Sequence, residues 1–589
     1  MSKLNLLEME DRVAVFEDPE TGERMVAYGD GQTLPFRSFI EEQVFRLAER
    51  FMVSPKSTVT ALNSELLSGL MGAALARQSR APGTIIDVIA KEFLDEGGEL
   101  KRKKLDQLIE RVLIQYGDDS VQELETATVI FNSISNLATK AIEDRRLGAF
   151  IEQSSRYVIY TERDRASGKW LYYREPRIMV SPLADQYTKV MDGCFELYSE
   201  MVDKLIEYYG QLKPIETVEY AVKPNDPQKY RFDQLDDDRQ RKEFERTYGF
   251  DLRTRACDTG RVVLPAATLT NMAMVANGRV YEHLLKRLYS AGRPEFQDIA
   301  ERLHATLNEV IPKYVKRADS KGVPFWQEID TKLRQVTQAL HEIWEPEQGR
   351  DEVTWVDLPK LIADTPESRR HMCASILYPH ARASYQRIVE ILDQVSDTKV
   401  EQIISIAAGD RQNRRDRSPR GFEHGYPITV DIVGNFGIFR DLHRHRMCTL
   451  QRQPLNPHVA MTVPEDIETI GYGDQVRLIS EKVAKLYDQI EKQIGTDAAE
   501  YVALFGHHVR FMFGMNLREA QHLLELRTVP QGHPDYRRVC QKIDQEIKKR
   551  APWIGRIGAL DFVDYNQYHW ARADAEARQS QKVLEKGLE

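Results

Sequence analysis

The sequence predicts a helix-rich α+β protein built from two tandem copies of one domain. Three observations predict this class. Apolar residues recur at helical spacing in several long segments, runs typical of strands are few and short, and one set of features occurs twice in the same order. With 589 residues, 42% hydrophobic and 29% charged, the chain has the composition of a globular protein with a buried core. Length alone allows about three to five domains; the repetition favours two copies with additions.

Long helices are predicted where apolar residues recur every three or four positions. Such segments are residues 121–142, 186–208 and 476–494. The run TVDIV at 429–433 is typical of a short strand.

The internal repeat is clearest in two short segments. NGRVYEHLL at 277–285 and NLREAQHLL at 516–524 share Asn, Arg, His and Leu-Leu at identical spacing. In each half a glutamate also lies 21 residues before a charged triplet: Glu123 precedes DRR, and Glu423 precedes RHR. The same order of features in both halves predicts a tandem duplication.

The predicted division of the chain follows from this repeat. It consists of an N-terminal extension at 1–55, a first repeat at 56–325 with a charged surface insertion near 216–258, a helical charged linker at 326–360, and a second repeat at 361–589.

Charge and cysteine content exclude several classes of protein. The formal charge of −9 argues against stable nucleic-acid binding, which needs a basic surface. Five widely separated cysteines are typical of reduced thiols in a cytoplasmic protein. We expect no signal peptide and no membrane-spanning segment. The common dinucleotide, P-loop, zinc-protease and serine-hydrolase motifs are absent from the sequence.

A cationic cluster lies in RDLHRHRMCT at 440–449. Guanidinium groups bind phosphate or carboxylate bidentately, so the cluster is a candidate anion site; the alternative is a solvated basic face. Metal binding by His443, His445 and Cys448 is disfavoured because the interleaved arginines would repel a cation.

A polar run occupies the comparable place in the first half. Glu152, Ser154 and Arg156 alternate, so on an extended segment they would share one face. A carboxylate, a hydroxyl and a guanidinium on one face could recognise a nucleotide, although a polar strand edge would look the same.

These residues resemble the flavin-dependent thymidylate synthases. The family signature is R-H-R-x-x-S-x-N-E-x-S-x-R-Y, followed by R-x-V-L-P and then N-x-R-x-x-x-[NH]-x-x-x-x-R. RHRMCT at 444–449 resembles the front of the first motif, and EQSSRY at 152–157 resembles its back. The segments 117–127 and 418–433 are similar to the Glu-His segment that precedes it.

Each repeat departs from the signature where the other keeps it. The first repeat has DRR for RHR, Ala149 for Ser and Ile151 for Asn. The second has Arg452, Pro454, Asn456 and Pro457 at the places of Glu, Ser, Arg and Tyr. The R-x-V-L-P arginine is Arg261 in the first repeat and Glu500 in the second, and the final arginine is Leu288 in the first and Arg527 in the second.

The resemblance implies one complete nucleotide site built from both repeats, because family sites lie between two subunits. Its expected dUMP-binding residues are Glu152, Ser154, Arg156, Arg261, Arg444 and Arg527. The reciprocal set would be Asp144, Leu288, Arg452, Pro454, Asn456 and Glu500, which should not hold a phosphate. The hypothesis fails if Arg156 and Arg444 lie on unconnected surfaces.

The resemblance also implies a reaction: FAD-dependent methylation of dUMP to dTMP, with methylenetetrahydrofolate and NADPH as co-substrates. Arg527 is the expected catalytic residue, stabilising a developing pyrimidine anion. No metal ion is expected. The expected assembly is a homodimer in which each chain is itself a pseudo-dimer. The expected FAD contacts, with the repeat that serves the flavin left open, are Ser120, Glu152, Arg444, His445, Arg446, Asn277, Arg279, His283, Asn516, Arg518 and His522.

Two alternatives remain open at this stage. One is a flavin-binding homologue that acts on another pyrimidine nucleotide or is catalytically degenerate, since Thr449 and Gln451 depart from the signature. The other is a nucleotide- or nucleic-acid-binding module using the arginines at 411–420 and 440–446, against which the net charge weighs.

Overall fold

The computed structural model describes residues 4–568 with gaps at 11, 30–37, 55, 57–58, 64, 68–70, 80, 82–83, 96, 111–119, 224–225, 227, 319–323, 348–350, 359–364 and 413–415. Parts of the predicted extension and linker, of the segment 117–127 and of the arginine cluster at 411–420 therefore lie outside the described residues, as does the chain beyond 568.

An antiparallel meander opens the described chain, and its four strands pair in sequence order. A short helix and a two-stranded hairpin follow it. The elements are β1 (Asn5–Glu10), β2 (Val13–Glu17), β3 (Arg24–Tyr28), β4 (Ser38–Glu41), α1 (Glu42–Glu49), β5 (Met52–Val53) and β6 (Ala61–Leu62).

The first repeat places helices before, between and after three strands. Its elements are α2 (Met71–Gln78), α3 (Ile85–Val88), a π-helical turn (Ile89–Phe93), α4 (Arg102–Glu110), a 3₁₀ helix (Val121–Leu124), β7 (Thr126–Ser135), α5 (Asn136–Glu143), β8 (Ala149–Glu152), α6 (Pro176–Met179), α7 (Ala184–Leu212), a 3₁₀ turn (Arg261–Val263), β11 (Leu269–Asn277), α9 (Gly278–Ser290), α10 (Pro294–Val310) and α11 (Pro312–Val315).

The helix predicted over 121–142 is wrong. The segment is a 3₁₀ turn, then strand β7, and only then helix α5. Along the first six residues of β7 exposed and buried side chains alternate, with Ala127, Val129 and Phe131 facing the core. Pairing with β11 decides the conformation, because tertiary pairing outweighs a weak helical spacing in a β-branched segment.

The charged segment near 216–258 forms a small unit beside α7. It contains a 3₁₀ turn (Ile215–Thr217), β9 (Glu219–Tyr220), β10 (Tyr230–Arg231), a 3₁₀ turn (Phe232–Gln234) and α8 (Asp238–Gly260). The end of α8 lies in the core: Leu252, Ala256 and Cys257 are buried. This helix therefore carries the chain directly to Arg261.

The second repeat follows two linking helices and repeats the order of the first. The elements are α12 (Pro324–Ala339), α13 (His341–Trp344), β12 (Val353–Trp355), α14 (Pro366–Leu377), a 3₁₀ turn (Tyr378–His380), α15 (Tyr385–Leu392), α16 (Asp397–Ala408), a 3₁₀ turn (Arg420–Glu423), β13 (Ile428–Asn435), α17 (Phe436–Leu442), β14 (Thr449–Arg452), α18 (Glu465–Thr469), α19 (Gly473–Gln493), α20 (Thr496–Ala499), a 3₁₀ turn (Glu500–Val502), β15 (His508–Met515), α21 (Leu517–Thr528), α22 (Pro534–Arg550) and α23 (Pro552–Arg556).

The two repeats share one sheet topology. The first sheet has the order β7-β11-β8 and the second β12-β13-β15-β14. In each, the last strand of the sequence lies between two earlier ones: β11 between β7 and β8, and β15 between β13 and β14. The neighbours are antiparallel in both sheets. The helices predicted at 186–208 and 476–494 are confirmed as α7 and α19, and the strand predicted at 429–433 lies within β13. The predicted tandem α+β architecture is confirmed.

The repeats meet about a pseudo-two-fold axis. Residues that are equivalent by the 239-residue offset between Arg261 and Glu500 pair with each other at the junction. Pro265 forms an antiparallel bridge with Leu504, its own equivalent. The flanking backbone bonds are symmetric: Ala266 N–H donates to Ala503 (2.7 Å), and Phe505 N–H donates to Leu264 (2.8 Å). Such self-pairing is the geometry of an isologous dimer, here within one chain.

The largest hydrophobic core crosses this junction. It joins buried residues of α7 in the first repeat to buried residues of α19, β13 and β15 in the second. The repeats therefore pack as one pseudo-dimer. Within the part of the chain that the structure describes, no helix has the length and apolar character needed to cross a bilayer.

Candidate functional site

The carboxylate of Glu152 forms ion pairs across the junction of the two repeats. Strand β8 ends at Glu152, whose side chain is fully buried. It accepts hydrogen bonds from Lys140 of its own repeat (3.0 Å) and from Arg440 (3.2 Å) and Arg444 (3.1 Å) of the second repeat. Arg440 lies on α17 and Arg444 one turn further on, so both face the same carboxylate.

Three cations stabilise the ionised form of this buried group. Burial raises the pKa of Glu152, but Lys140, Arg440 and Arg444 outweigh burial and hold it well below its usual range. The carboxylate is therefore charged at neutral pH.

A second cluster contains the two other first-repeat arginines of the predicted site. Arg156 contacts Asp258 (3.2 Å) and Asp441 (2.5 Å), and Arg261 lies 3.5 Å from Asp258 and 3.9 Å from Asp441. Asp258 and Arg261 come from the end of α8, one helical turn apart, whereas Asp441 comes from α17.

Asp441 interacts electrostatically with all four arginines of the predicted dUMP site. Burial raises the pKa of Asp441, but Arg156, Arg261, Arg444 and Arg527 outweigh burial and lower it below its usual range. Arg156 and Arg444 thus lie on one connected cluster, which is the condition on which the composite-site hypothesis depended.

The polar run after β8 turns sooner than predicted. The chain is extended only to Ser154 and enters a turn at residues 155–157. Ser154 Oγ accepts the backbone N–H of Arg156 (3.3 Å). The buried hydroxyl beside the guanidinium groups is instead that of Ser155, which accepts from Arg261 (3.4 Å) and Arg440 (3.2 Å).

Arg527, on α21, is held by a neutral imidazole. Its Nε–H donates to His445 Nε2 (2.7 Å), so the remaining ring proton lies on Nδ1, which is 3.6 Å from Glu519. Burial lowers the pKa of His445. The guanidinium of Arg527 also lies over the Tyr536 ring, 5.6 Å from its centroid. Among the described residues no carboxylate lies within ion-pair distance of Arg527.

The expected flavin contacts of the second repeat lie on the same helix as Arg527 or beside it. Asn516 caps α21 by accepting from Glu519 N–H (3.0 Å), and Arg518 is exposed. His522 packs against His445, with ring centroids 5.6 Å apart. Arg446 is exposed and lies 5.9 Å from the Phe150 ring centroid of the first repeat.

Three of the expected flavin contacts of the first repeat, Asn277, Arg279 and His283, line a cavity of about 450 Å³. Asn277 caps α9 by accepting from Val280 N–H (3.0 Å), and Arg279 pairs with Glu123. Ser120 is exposed at the start of the same 3₁₀ turn as Glu123. The cavity is bounded by Asn277, Arg279, His283, Glu123, Asp144, Arg145, Arg146, Arg287, Arg417, Arg420, Glu423 and Met447, among others.

This cavity, which residues of both repeats line, is strongly cationic. Six arginines face three carboxylates around it, a surplus of three positive charges. The pKa of Arg145 is lowered to about 10. Burial is the main cause and Arg287 adds to it, whereas Asp144 opposes the shift. Burial, Arg417 and Arg145 also lower the pKa of His283 to about 4, so it is neutral. The Nε atoms of Arg145 and Arg146 are buried without a hydrogen-bond partner.

The charged residues of the reciprocal set are engaged in ion pairs. Glu500 binds Arg452 (2.8 Å), the backbone N–H of Leu455 (2.8 Å) and Arg293. Burial raises the pKa of Glu500, but Arg452 and Arg293 outweigh burial and lower it to about 2. Of the other reciprocal positions, Leu288 and Asn456 are buried, and Asp144 pairs with Arg420 and Arg145.

All five cysteines are free and buried. Burial raises the pKa of Cys540 to about 12, and burial likewise raises that of Cys448 beside the cationic cluster. A thiolate nucleophile is disfavoured in such surroundings.

The predicted cationic cluster already contained Arg440, whereas sequence reasoning missed four other side chains of the site, although helical spacing pointed to the two acids among them. The four are Lys140, Ser155, Asp258 and Asp441. Arg440 and Asp441 lie four and three residues before Arg444, and Asp258 lies three before Arg261, which places each pair on one helix face. Ser155 gave no such signal, since it became buried only through the turn.

The fold defines a class: a fused pseudo-dimer whose described residues gather arginines at the junction of the repeats. The family model described as thymidylate synthase complementing protein matches residues 71–313 and 360–553. The chain belongs to this thymidylate synthase family, and each repeat carries one copy of its domain.

Relatives of similar length match most of the chain. A UPF0159 protein of Chlamydia muridarum (strain MoPn / Nigg) is 30% identical over 558 residues, covering 92% of this chain and 98% of that protein. A UPF0159 protein of Thermoplasma acidophilum is 31% identical over 516 residues, covering 87% and 99%. A solved UMP/dUMP methylase, PolB from Streptomyces cacaoi, bound with 5-Br dUMP, is 17% identical with a TM-score of 0.25 and covers 42% of this chain and 89% of that one.

Proposed function

We propose that the protein methylates C5 of dUMP to give dTMP at one composite site per chain, with FAD as redox cofactor and NADPH and methylenetetrahydrofolate as co-substrates. The observation that carries the proposal is the junction at Glu152. There a first-repeat carboxylate is held by Arg440 and Arg444 of the second repeat, next to Arg156 and Arg261. Together with family membership, this supports a single site assembled from complementary halves.

Arg156, Arg261 and Arg444 are the groups that would bind the nucleotide phosphate. Arg156 and Arg261 are at most 11% exposed, and guanidinium forks bind phosphate bidentately in such desolvated surroundings. Ser155 would help to position the two arginines for the phosphate, because its hydroxyl accepts hydrogen bonds from Arg261 and Arg440.

Arg527 would polarise the pyrimidine. Its charge has no carboxylate partner among the described residues, so it is available to stabilise negative charge developing at N3 and O4. Negative charge spread through the ring makes C5 nucleophilic. No enzyme thiolate is then needed, in agreement with the buried, protonated cysteines.

The charge of the 450 Å³ cavity lined by both repeats suits an anionic dinucleotide cofactor. Its surplus of arginines and the two unpartnered buried Nε atoms of Arg145 and Arg146 are suited to a diphosphate. Asn277, Arg279 and His283 would hold the cofactor, and the second-repeat residues Asn516, Arg518 and His522 would lie beside Arg527. When bound, FAD supplies the hydride of the reductive methylation.

Two chains would complete a homodimer of pseudo-dimers. Ile130 and Ile151 lie on the two outer strands of the β7-β11-β8 sheet, both opposite Ala273 of the central strand. They are 66% and 73% exposed. Exposed apolar side chains grouped on a sheet are typical of protein–protein contact surfaces.

The proposal is tested by the Arg527→Ala variant. Purified chain loaded with FAD is mixed anaerobically with NADPH, methylenetetrahydrofolate and dUMP, and dTMP is measured with loss of the flavin visible band. Because electrostatic stabilisation by one donor is worth about 10²–10³ in rate, we expect Arg527→Ala to lower dTMP formation by that factor.

Arg477→Ala is the matched control, because Arg477 is half exposed on α19 and pairs with Glu468 away from the site. It should retain full activity. A chain that binds no flavin, or that reduces flavin without forming dTMP, would contradict the proposal; methylation of another pyrimidine nucleotide instead would correct the substrate.

A further inference from the structure

The arginines assigned to the phosphate already have anionic partners within the protein. Arg156 and Arg261 each contact Asp258 and Asp441, at 2.5–3.9 Å. All four side chains are at most 13% exposed. Two guanidiniums and two carboxylates give this cluster no net charge.

The neighbouring cations are themselves partly neutralised. Arg444 is held by Glu152, which it shares with Arg440 and Lys140. Arg527 differs in being held by a neutral imidazole, that of His445. A phosphate dianion that approached Arg156 would therefore meet two buried carboxylates at short range, and like charges in a desolvated site repel strongly.

Of the two carboxylates, Asp441 is the one that a phosphate can displace from the arginines. Asp258 Oδ1 lies near both Arg156 and Arg261 and sits in the last turn of the 23-residue helix α8. Asp441 lies near the end of the seven-residue helix α17. Its equivalent in the first repeat, 300 residues earlier, is Ala141. The fold of this helix therefore does not require an acid here, and the acid occurs only in the repeat that supplies Arg444.

We propose that Asp441 is a specificity-determining residue: its carboxylate competes with the phosphate of a nucleoside monophosphate for Arg156 and Arg261. The carboxylate neutralises the arginines in the free protein and is displaced when a phosphate monoester binds. It thereby lowers the affinity of the site for phosphate-bearing ligands without affecting unphosphorylated ones. The identity of the nucleoside rests on the proposed function.

The test is the isosteric variant Asp441→Asn in the full chain loaded with FAD. Binding of dUMP, deoxyuridine and inorganic phosphate is measured by calorimetry, with the melting temperature as a check on folding. We expect Kd for dUMP and for phosphate to fall about ten-fold or more, because close charge pairs of this kind are worth at least a factor of ten in binding. Binding of deoxyuridine should not change.

Asp497→Asn is the matched control. Asp497 is the equivalent of Asp258 in the other half and pairs with Arg177 (2.7 Å), away from the composite site. It should leave all three affinities unchanged. If Asp441→Asn does not fold, Asp441→Ala, which carries the first-repeat residue at this place, gives the same comparison.

The outcomes separate this inference from the proposed function. If the wild-type chain binds dUMP and Asp441→Asn binds it no more tightly, competition by Asp441 is wrong while the proposed substrate stands. If no variant binds dUMP but Asp441→Asn gains affinity for phosphate, the inference stands and the proposed substrate is wrong. Equal gains for dUMP and deoxyuridine would also overturn the inference, since they would not depend on the phosphate.

Discussion

Glu152→Gln removes the single negative charge that joins Lys140 to Arg440 and Arg444 across the junction of the repeats. The side chain has no solvent exposure, and its three donors lie at 3.0–3.2 Å. Glutamine keeps the shape and one acceptor oxygen, but its amide group cannot neutralise the cations. The substitution therefore tests whether this carboxylate holds the two halves together.

The magnitude follows from what each cation retains. Lys140 keeps Glu143, and Arg440 keeps the Ser155 hydroxyl and its position over the Phe505 ring. Neither arginine has another ion-pair partner among the described residues, and Arg444 is 44% exposed. Breaking a buried pair costs about 3–5 kcal/mol, and because two of the three cations are partly compensated, we expect the lower end, about 3 kcal/mol.

For a unit the size of one repeat, this corresponds to a fall of roughly 6–12 °C in melting temperature. The assay is thermal unfolding followed by circular dichroism at neutral pH. Glu468→Gln is the control, since Glu468 pairs with Arg477 at a site where both are about half exposed, and such pairs are worth less than about 1 kcal/mol. Equal melting temperatures for the two variants would refute the reasoning.

Two further predictions concern the reciprocal half and the effect of acid. Calorimetry should find one dUMP per chain, and Arg452→Ala should leave that stoichiometry unchanged, because Arg452 is engaged by Glu500; two equivalent sites would contradict the proposed asymmetry. The pKa of Glu500 is lowered in the folded state to about 2 from an ordinary value near 4.3, so its contribution to stability is complete above about pH 4.3 and is lost as the pH falls toward 2. Melting temperature should therefore drop across that range, and Glu500→Gln should lower it at pH 6 while flattening the drop; an unchanged acid profile in this variant would show that Glu500 does not contribute.

The sequence was most informative where one signal had a single structural solution. Helices α7 and α19 have long, regular apolar stripes and formed as predicted. The segment 121–142 failed because its apolar residues fit helical spacing and strand alternation about equally well, and only the neighbouring strand β11 decides between them. A pairing partner almost 150 residues away leaves no local trace in the sequence.

For the site, the sequence showed which charges belong together but not what compensates them. The complementary arginines of the two repeats could be assigned from the split motif. The acids Asp258 and Asp441 gave a helical spacing but no motif, and their role depends on how α8 and α17 approach each other. Contacts between elements from different repeats are set by packing at the junction, which no short pattern encodes.

The self-pairing of Pro265 with Leu504 makes the two partners of an ordinary dimer parts of one molecule. In a dimer of separate chains, dilution dissociates the subunits and every shared site is lost with them. Here the effective concentration of one half near the other is fixed by the chain that connects them. The proposed composite site would therefore form equally at any protein concentration, and each half is free to change its sequence without a matching change appearing in its partner.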